Sequence, residues 1–363
     1  MDSIKLQAAI ELAGASWQAG ETSMTQLSDA EKQLRLGYTP GPNEPSFEEQ
    51  EQIAKINQEV FKSAQIKGET AGYPASFDMR TGGFVTPVKD QLSCGSCVAF
   101  GTVATIETTI RRLRNNPALA IDLSEAHLFY CYARALGRTC GNGWWVPPSM
   151  DAAKTGLAIE ASYPYTAGDQ NCSNLASNWQ SSAVKISGWH EIKSTADMKE
   201  WLATRGALAA CFTVYNDFFA YKSGIYRNVV QNQKPGGHCV SIVGYNDTEG
   251  YWIAKNSWGQ SFGENGFFRI AYGECGIDSS MFAVDGIVET GWLSNVKILG
   301  LWTNNADRNA YVYVSEGIGW RKLSDASDET HLNMLTQLAA SKAADRPVSL
   351  YQENGIIKEI YAW

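Results

Sequence analysis

Four side chains of this 363-residue sequence could together perform nucleophilic chemistry. Cys97 closes the run Gln91-Leu92-Ser93-Cys94-Gly95-Ser96-Cys97, just ahead of Phe100, Val103, Ile106, Ile110 and Leu113. That apolar spacing predicts a helix from Cys97 to about Leu113, with the thiol at its N-terminus. The positive end of a helix favours an anion, and thiolate is the nucleophilic form of cysteine, so the position is expected to lower its pKa. Such a nucleophile needs a base, and the base needs a third group to orient it. Of the four histidines, His127 and His331 fall in predicted helices and His190 follows Trp189 in a polar stretch, which are settings of ordinary packing or surface residues. His238 stands in Gly236-Gly237-His238-Cys239, at the mouth of an alternating apolar strand, where the glycines let another backbone come close. Asn256-Ser257-Trp258-Gly259 ends the next predicted strand, so a hairpin can set Asn256 beside His238.

The elements that must hold these groups lie in the middle of the chain. The helix from Cys97 is followed by β-like runs at 239–245, 251–255 and 267–272, an α+β order. Ahead of it, residues 1–36 read as helical and polar, with Ile4, Leu6, Ile10 and Leu12 near one face. Ser28-Asp29-Ala30-Glu31 has capping-box spacing and predicts a short helix from Asp29 to about Leu36, stopped by Gly37-Tyr38-Thr39-Pro40-Gly41-Pro42. An acidic stretch with Glu48, Glu49 and Glu51 follows, backed by Ile53, Ile56, Val60 and Phe61. Taken plainly, this section is a solvated helical arm. At the other end, 309–314 and 348–351 read as strands, Asn354-Gly355 as a hairpin turn, and Leu332, Leu335 and Leu338 as a helix capped by Ser327 or Asp328. The stretch between, with Gly291 and Trp292, reads as a linker.

Composition narrows the function classes. The net charge is −8, from 30 Lys and Arg against 38 Asp and Glu, which argues against a nucleic-acid partner. No run of 18 apolar residues predicts a membrane span, and the N-terminus lacks the pattern of a secretion signal, which is expected to be absent from this chain. Cys94 and Cys97 make a C-x-x-C pair, but no second pair follows at zinc-ribbon spacing, so neither a metal site nor a cofactor is expected.

The set Cys94-Gly95-Ser96-Cys97, His238 and Asn256-Ser257-Trp258 resembles the papain-like cysteine proteases, in which this arrangement is a described signature. The likeness spans about residues 74–286 and includes Thr86-Pro87-Val88-Lys89-Asp90-Gln91, Leu123-Ser124-Glu125 and Tyr163-Pro164-Tyr165. Phe212 to Phe218, Tyr221 to Tyr226 and Trp17-Gln18-Ala19-Gly20 are similar to the cathepsin B and C branch. The resemblance implies an α+β, two-lobed fold, one lobe helical and one barrel-like, with the site in the cleft. It makes Cys97 the nucleophile, His238 the base, Asn256 its orienter, Gln91 an oxyanion donor and Trp258 a shield over the Asn–His bond. It places Gly143 on substrate backbone, and Cys211, Gly237, Cys239 and Ser280 around the specificity pocket. Ser280 stands where cathepsin B has an acid, so apolar residues are expected there. Val98 replaces the usual Trp after the nucleophile, with no loss of a catalytic atom. The span from Trp144 to Tyr163 has no room for the inserted loop of cathepsin B, which favours endopeptidase action.

The same resemblance pairs Cys94 with Cys140 and Cys131 with Cys172, leaves Cys275 free, and leaves Cys211 and Cys239 either free or bonded. Such bridges imply a secreted or otherwise extracytoplasmic setting. It divides the chain into an inhibitory propeptide (1–72), a peptidase domain (73–287), a linker (288–296) and a small β-rich C-terminal domain with one helix (297–363), faintly similar to oligonucleotide/oligosaccharide-binding barrels. The partners expected are peptide or protein substrates, the chain's own propeptide, and a glycan or surface ligand for the C-terminal domain. Leu36, Gly37, Tyr38, Thr39 and Pro40 are expected to pass over Cys97. Neutralisation of Glu48, Glu49 and Glu51 near pH 4–5 is expected to loosen the arm, from an ordinary glutamate pKa of about 4.3. The alternative is a secreted adhesion protein whose C-terminal domain does the work.

Overall fold

The computed structural model describes residues 3–66, 72–230, 234–288, 291–315, 318–353 and 355–362. The chain divides into two compact units, the second being residues 286–363 with the short segment Arg114–Asn116, and the boundary falls within the last strand of the first. The first carries α1 (Ser3–Leu12), α2 (Asp29–Gln33), α3 (Phe47–Ile66), α4 (Cys97–Leu113), α5 (Glu125–His127), α6 (Val146–Thr155) and α7 (Thr195–Thr204). Its strands are β1 (Gln18–Ala19), β2 (Ser76–Asp78), β3 (Lys185–Ile192), β4 (Leu208–Val214), β5 (Tyr221–Ser223), β6 (Ile225–Tyr226), β7 (Gly236–Asn246), β8 (Tyr251–Lys255), β9 (Phe267–Ala271) and β10 (Met281–Val288).

The arm is less solvated than its composition implies. Leu6, Ile10, Trp17 and Met24 lie in the same buried cluster as Phe218, Tyr221 and Tyr226, while Ile4 and Leu12 face outward. β1 pairs with β5, and Trp17 donates its indole N–H to the Arg227 carbonyl at 2.9 Å. The predicted capping box forms, with Ser28 and Glu31 satisfying each other's backbone N–H groups at the start of α2. That helix stops at Gln33, three residues short of the expected end, and loosens through a turn in which Arg35 and Leu36 N–H donate to the Lys32 and Gln33 carbonyls.

The nucleophile's helix is buried almost all round, from Cys97 to Ile110, rather than along one stripe. It packs on β7 and β4 on one side and on α6 on the other. Two of its threonines are paired inside, Thr102 with Ser149 (2.7 Å) and Thr105 with Ser241 of β7 (2.9 Å), while the buried hydroxyls of Thr108 and Thr109 have no partner. Pairing removes the cost of burying the first two hydroxyls, which helps a threonine-rich helix to sit in the core. The sheet runs β3-β10-β4-β7-β8-β9-β6, with β2 added against β7. Antiparallel register sets Phe212 opposite His238 and Cys211 opposite Cys239. The β7–β8 hairpin brings the chain back so that Asn256 leaves β8 beside the start of β7.

The second unit is a six-stranded sheet in the order β11-β15-β16-β14-β13-β12. It is built from β11 (Gly291–Val296), β12 (Ile298–Thr303), β13 (Ala310–Val314), β14 (Gly319–Leu323), α8 (Asp328–Ala343, capped by Ser327), β15 (Val348–Glu353) and β16 (Ile356–Ala362). Val312, Val314, Leu323, Leu338, Leu350 and Ile357 form its core with α8. Two expectations change here. Residues 291–296 are an edge strand paired to β15, not a linker, because Val296 is an anchor of this core. The sheet order has two unpaired ends among the described residues and one parallel pair, β14 with β16, so it is an open sheet and not an oligonucleotide-binding barrel. Gly355 takes φ 75° in the β15–β16 turn, and Asn354 lies outside the described residues.

Candidate active site

Sequence-distant residues converge at the mouth of β7. His238 Nε2 lies 2.7 Å from Asn256 Oδ1; the amide oxygen can only accept, so the ring proton sits on Nε2. Asn256 Oδ1 is itself held by the Ser257 N–H at 2.8 Å. Trp258 covers the imidazole at 4.5 Å between ring centroids and is fully buried, which keeps water off that hydrogen bond. His238 Nδ1 is buried with no hydrogen-bond partner. The Cys97 sulfur faces the backbone N–H groups of Cys239, Val98 and Gly37, which places it against the peptide that follows His238.

The Cys97 thiol is not activated in this state. Burial pushes its pKa well above the usual value, outweighing the three N–H groups that favour thiolate. The helix N-terminus alone therefore does not set the charge, contrary to the sequence expectation; solvent access does. Gln91, also buried, takes the Ser257 hydroxyl on its Oε1 at 2.7 Å. Its Nε2 donates to the Cys94 carbonyl (2.8 Å) and to the carbonyl of Arg35 in the arm (3.1 Å).

The burial is caused by the arm. Residues 36–39 cross the cleft, with Tyr38 bridged in parallel to Trp144 and antiparallel to Gly237. Trp144 N–H donates to the Gly37 carbonyl at 2.7 Å, Thr39 N–H to the Trp144 carbonyl at 3.1 Å, and Tyr38 N–H to the Gly237 carbonyl at 3.1 Å. A Cβ on Gly37 would stand 1.9 Å from the Gly95 carbonyl oxygen, and one on Gly143 would stand 2.0 Å from the Gly37 oxygen. Gly143 thus permits close approach, whereas its neighbour Trp144 makes the backbone hydrogen bonds expected of it. Leu36 is buried, Thr39 is exposed and Pro40 half-buried. Arg35 anchors the run by pairing with Asp90 at 2.6 Å.

Of the expected pocket residues, Cys211 and Ser280 line one cavity of about 350 Å³ together with Tyr38, Glu44 and Phe282. Tyr38 packs against Gly237 and edge-on to Phe47, and its hydroxyl meets Glu44 (3.2 Å) and Gln50 (2.8 Å). Cys239 is not in this lining; it sits behind, with its sulfur against Gly101 of α4. Sequence reasoning missed Arg35, Asp90, Trp144 and Glu44. A basic residue two before the Gly-Tyr-Thr-Pro run was the one available sign of the first.

Farther along the arm, Lys234 reaches Glu48 (3.4 Å) and Glu51 (3.3 Å), and Tyr215 donates to Glu51 (2.9 Å). Phe61 caps a buried Lys199, whose ammonium lies 3.3 Å from the ring centroid and 2.7 Å from Asp247. The arm carries other acid-sensitive groups beside those glutamates. Hydrogen bonds from the α3 start, with Lys234 as well for Glu48, hold Glu48 and Glu49 below the usual carboxylate range. Burial raises Glu44, so its protonation favours the docked arm.

His238 works the other way: burial drops its pKa from 6.5 to about 4. If the released ring has its ordinary pKa of about 6.5, it takes a proton before the docked ring does as pH falls from there towards about 4, so acid is expected to weaken docking over that window. Cleavage of the arm of a Cys97→Ala chain by added active enzyme should accelerate through that window, and His238→Gln in the same chain should flatten the pH dependence. An unchanged profile in the double variant would reject His238 as the trigger.

The bridges Cys94–Cys140 and Cys131–Cys172 are present, and Cys97, Cys211, Cys239 and Cys275 are free and buried. The first ties the loop before Cys97 to the Gly143–Trp144 rim. Among the described residues, no cluster of three or more His, Cys, Asp or Glu could hold a metal, and no helix is long and apolar enough to cross a membrane.

Residues 73–284 match the family described as papain family cysteine protease. The chain is 34% identical over 259 residues to a cathepsin L-like proteinase of Fasciola hepatica, covering 67% of this chain and 77% of that protein. It is 34% identical over 235 residues to pro-cathepsin H of Mus musculus, covering 61% and 67%. Its fold is similar to digestive procathepsin L2 from the Tenebrio molitor larval midgut, with a TM-score of 0.61, 27% identity, and 78% and 88% of the two chains covered. That coverage runs beyond the matched domain, as an arm carried in the same way requires. The adhesion-protein alternative gives way to these matches, and the chain belongs to the papain family of cysteine proteases, as a propeptide-bearing zymogen.

Proposed function

We propose that the chain is a cysteine endopeptidase in which Cys97 attacks the scissile carbonyl and His238 takes the thiol proton at Nδ1, then returns it to the leaving amine. Asn256 fixes the ring through Nε2, so that the free Nδ1 is the atom presented to the thiol. Gln91 Nε2, with the Cys97 backbone N–H, holds the oxyanion; one such donor is typically worth about 3–4 kcal/mol of barrier. The thioester formed on Cys97 is then hydrolysed by water with His238 as base. Departure of residues 35–39 frees each of these groups at once, because the arm occupies the Gln91 donor, the Trp144 and Gly237 backbone and the cover over Cys97.

The observation that carries this reading is the joint placement of the Asn256–His238 hydrogen bond and the Cys97 sulfur at the Cys239 N–H. We assign residues 1–72 as the propeptide, 73–285 as the peptidase and 286–363 as the accessory domain. The two bridges favour an oxidising compartment.

The residue two before the scissile bond enters the space now held by Tyr38, beside Cys211, Gly237 and Ser280. No acid stands at Ser280, so large apolar and aromatic residues are favoured there over arginine. The test is mass spectrometry of products from a mixed peptide library, with an epoxide label on the activated enzyme. One label on Cys97 and aromatic or aliphatic residues at that position are expected; a product set dominated by arginine would overturn the specificity, and labelling elsewhere would overturn the site.

A further inference from the structure

Two thiols stand beside the nucleophile and take no part in the bond making and breaking just described. Cys239 follows His238 in β7, and Cys211 faces it in register on β4. Both are buried and unbridged, as is Cys97. The Cys239 sulfur lies 3.1 Å from where a Cβ on Gly101 would stand. Gly101 is one turn along α4 from Cys97, so that sulfur rests on the same face of the helix as the nucleophile. The Cys239 N–H faces the Cys97 sulfur, and Cys211 stands directly across from Cys239 in the β4–β7 register. Cys239 is thus the middle of a row of three. Facing residues of an antiparallel pair have Cα atoms about 4.5–5.5 Å apart, within the span of a disulfide. Cys211 also lines the cavity that Tyr38 occupies, so loss of the arm opens a route for a small oxidant.

We propose that Cys239 and Cys211 are a resolving dithiol for Cys97, which passes its oxidation on to a Cys211–Cys239 bridge and returns as a thiol. The proposal rests on Cys97 being the nucleophile. The oxidant is a peroxide. The Cys97 thiolate attacks one peroxide oxygen, an S–O bond forms, the O–O bond breaks, and the hydroxide released takes the imidazolium proton as water. Cys97 is now a sulfenic acid. Cys239 attacks its sulfur: the S–S bond forms, the S–O bond breaks, and hydroxide leaves with the Cys239 proton as a second water. Cys211 then attacks the Cys239 sulfur, the Cys211–Cys239 bond forms, and Cys97 leaves as thiolate and recovers a proton from Cys211. Beside His238, Cys97 is the better leaving group of the two, because a lower-pKa thiol departs faster. The net change is one peroxide reduced to two waters and one dithiol oxidised, and a dithiol reductant resets it. Without this route a sulfenic acid proceeds to sulfinic acid, which thiols do not reverse.

The test uses the full chain, activated and freed of its arm, exposed to hydrogen peroxide, quenched, alkylated and peptide-mapped, with each variant scaled to its own untreated activity. Wild type should yield a linked Cys211–Cys239 peptide, an alkylatable Cys97 and retained activity. Cys211→Ala should accumulate a Cys97–Cys239 link, with activity restored by dithiothreitol. Cys239→Ala should lose recoverable activity about 10-fold faster, with sulfinic acid on Cys97. Equal loss of recoverable activity in wild type and Cys239→Ala, with both other thiols still alkylatable in wild type, would overturn the proposal. Peptidase activity surviving in Cys97→Ala would instead overturn the nucleophile assignment, a separate result.

Discussion

Replacing Cys97 by alanine is expected to lower kcat about 10⁶-fold, the scale seen when a nucleophile is removed from a catalytic unit that works as one. Nothing else in the cleft can take its place: the neighbouring thiols Cys211 and Cys239 have no free imidazole nitrogen aimed at them, since Asn256 fixes the ring. His238→Ala should cost a similar factor, and the double variant little more, because neither residue acts without the other. The Cys97→Ala chain should keep the stability of the wild type, as only one sulfur is lost from a site already closed by the arm. It should also accumulate uncut. Activity within 10²-fold of wild type would reject the assignment of roles in this site.

The second large effect concerns latency. Gly37→Ala should produce a chain that is active at neutral pH without losing its arm. The added Cβ would collide with the Gly95 carbonyl, which cannot yield: Gly95 donates its N–H to the Cys140 carbonyl at 2.9 Å, and its neighbour Cys94 is bridged to Cys140. Displacing residues 35–39 forfeits four hydrogen bonds, from Gln91 to Arg35, Trp144 to Gly37, Tyr38 to Gly237 and Thr39 to Trp144. At a net ~1 kcal/mol each, latent activity on a small peptide substrate should rise on the order of 10²–10³-fold. Gly20→Ala is the control, because its new Cβ would meet only the flexible Lys222 side chain at ordinary contact distance. A Gly37→Ala zymogen as silent as wild type would show that this run does not enforce latency.

Much of the site was readable because its chemistry demands particular side chains at particular places. A cysteine before a helical apolar run, a histidine opening a strand and an asparagine ending the next are local patterns, and the β7–β8 register then joins them. What could not be read depends on backbone atoms or distant partners. Trp144 acts through its N–H and carbonyl, so its side chain gives no sign of the role, and Gly143 was the natural choice. Arg35 is an unremarked basic residue until Asp90 folds against it. The acidic run at Glu48 and Glu49 suggested a trigger by charge count alone, yet hydrogen bonding holds those carboxyls down, and the burial that shifts His238 exists only once the arm lies across the cleft. Burial also goes further in α4 than the apolar spacing of Phe100, Val103, Ile106 and Ile110 implied, since its threonines are inside as well.

The arm is no mere strap over the cleft. Leu6, Ile10, Trp17 and Met24 are buried among the body's own aromatic residues, and Phe61 closes over Lys199. Fully burying each such apolar side chain is worth about 1.5–3 kcal/mol, so part of the precursor's cohesion leaves with the arm. The processed enzyme is accordingly the more perishable molecule. Loss of the arm should uncover an apolar surface around Tyr221 and Tyr226, against which Trp17 packs, and the processed enzyme is expected to unfold at a lower temperature than the precursor. Durability in storage and a short working life then follow from one and the same cut, with no separate device needed to limit how long the protease persists.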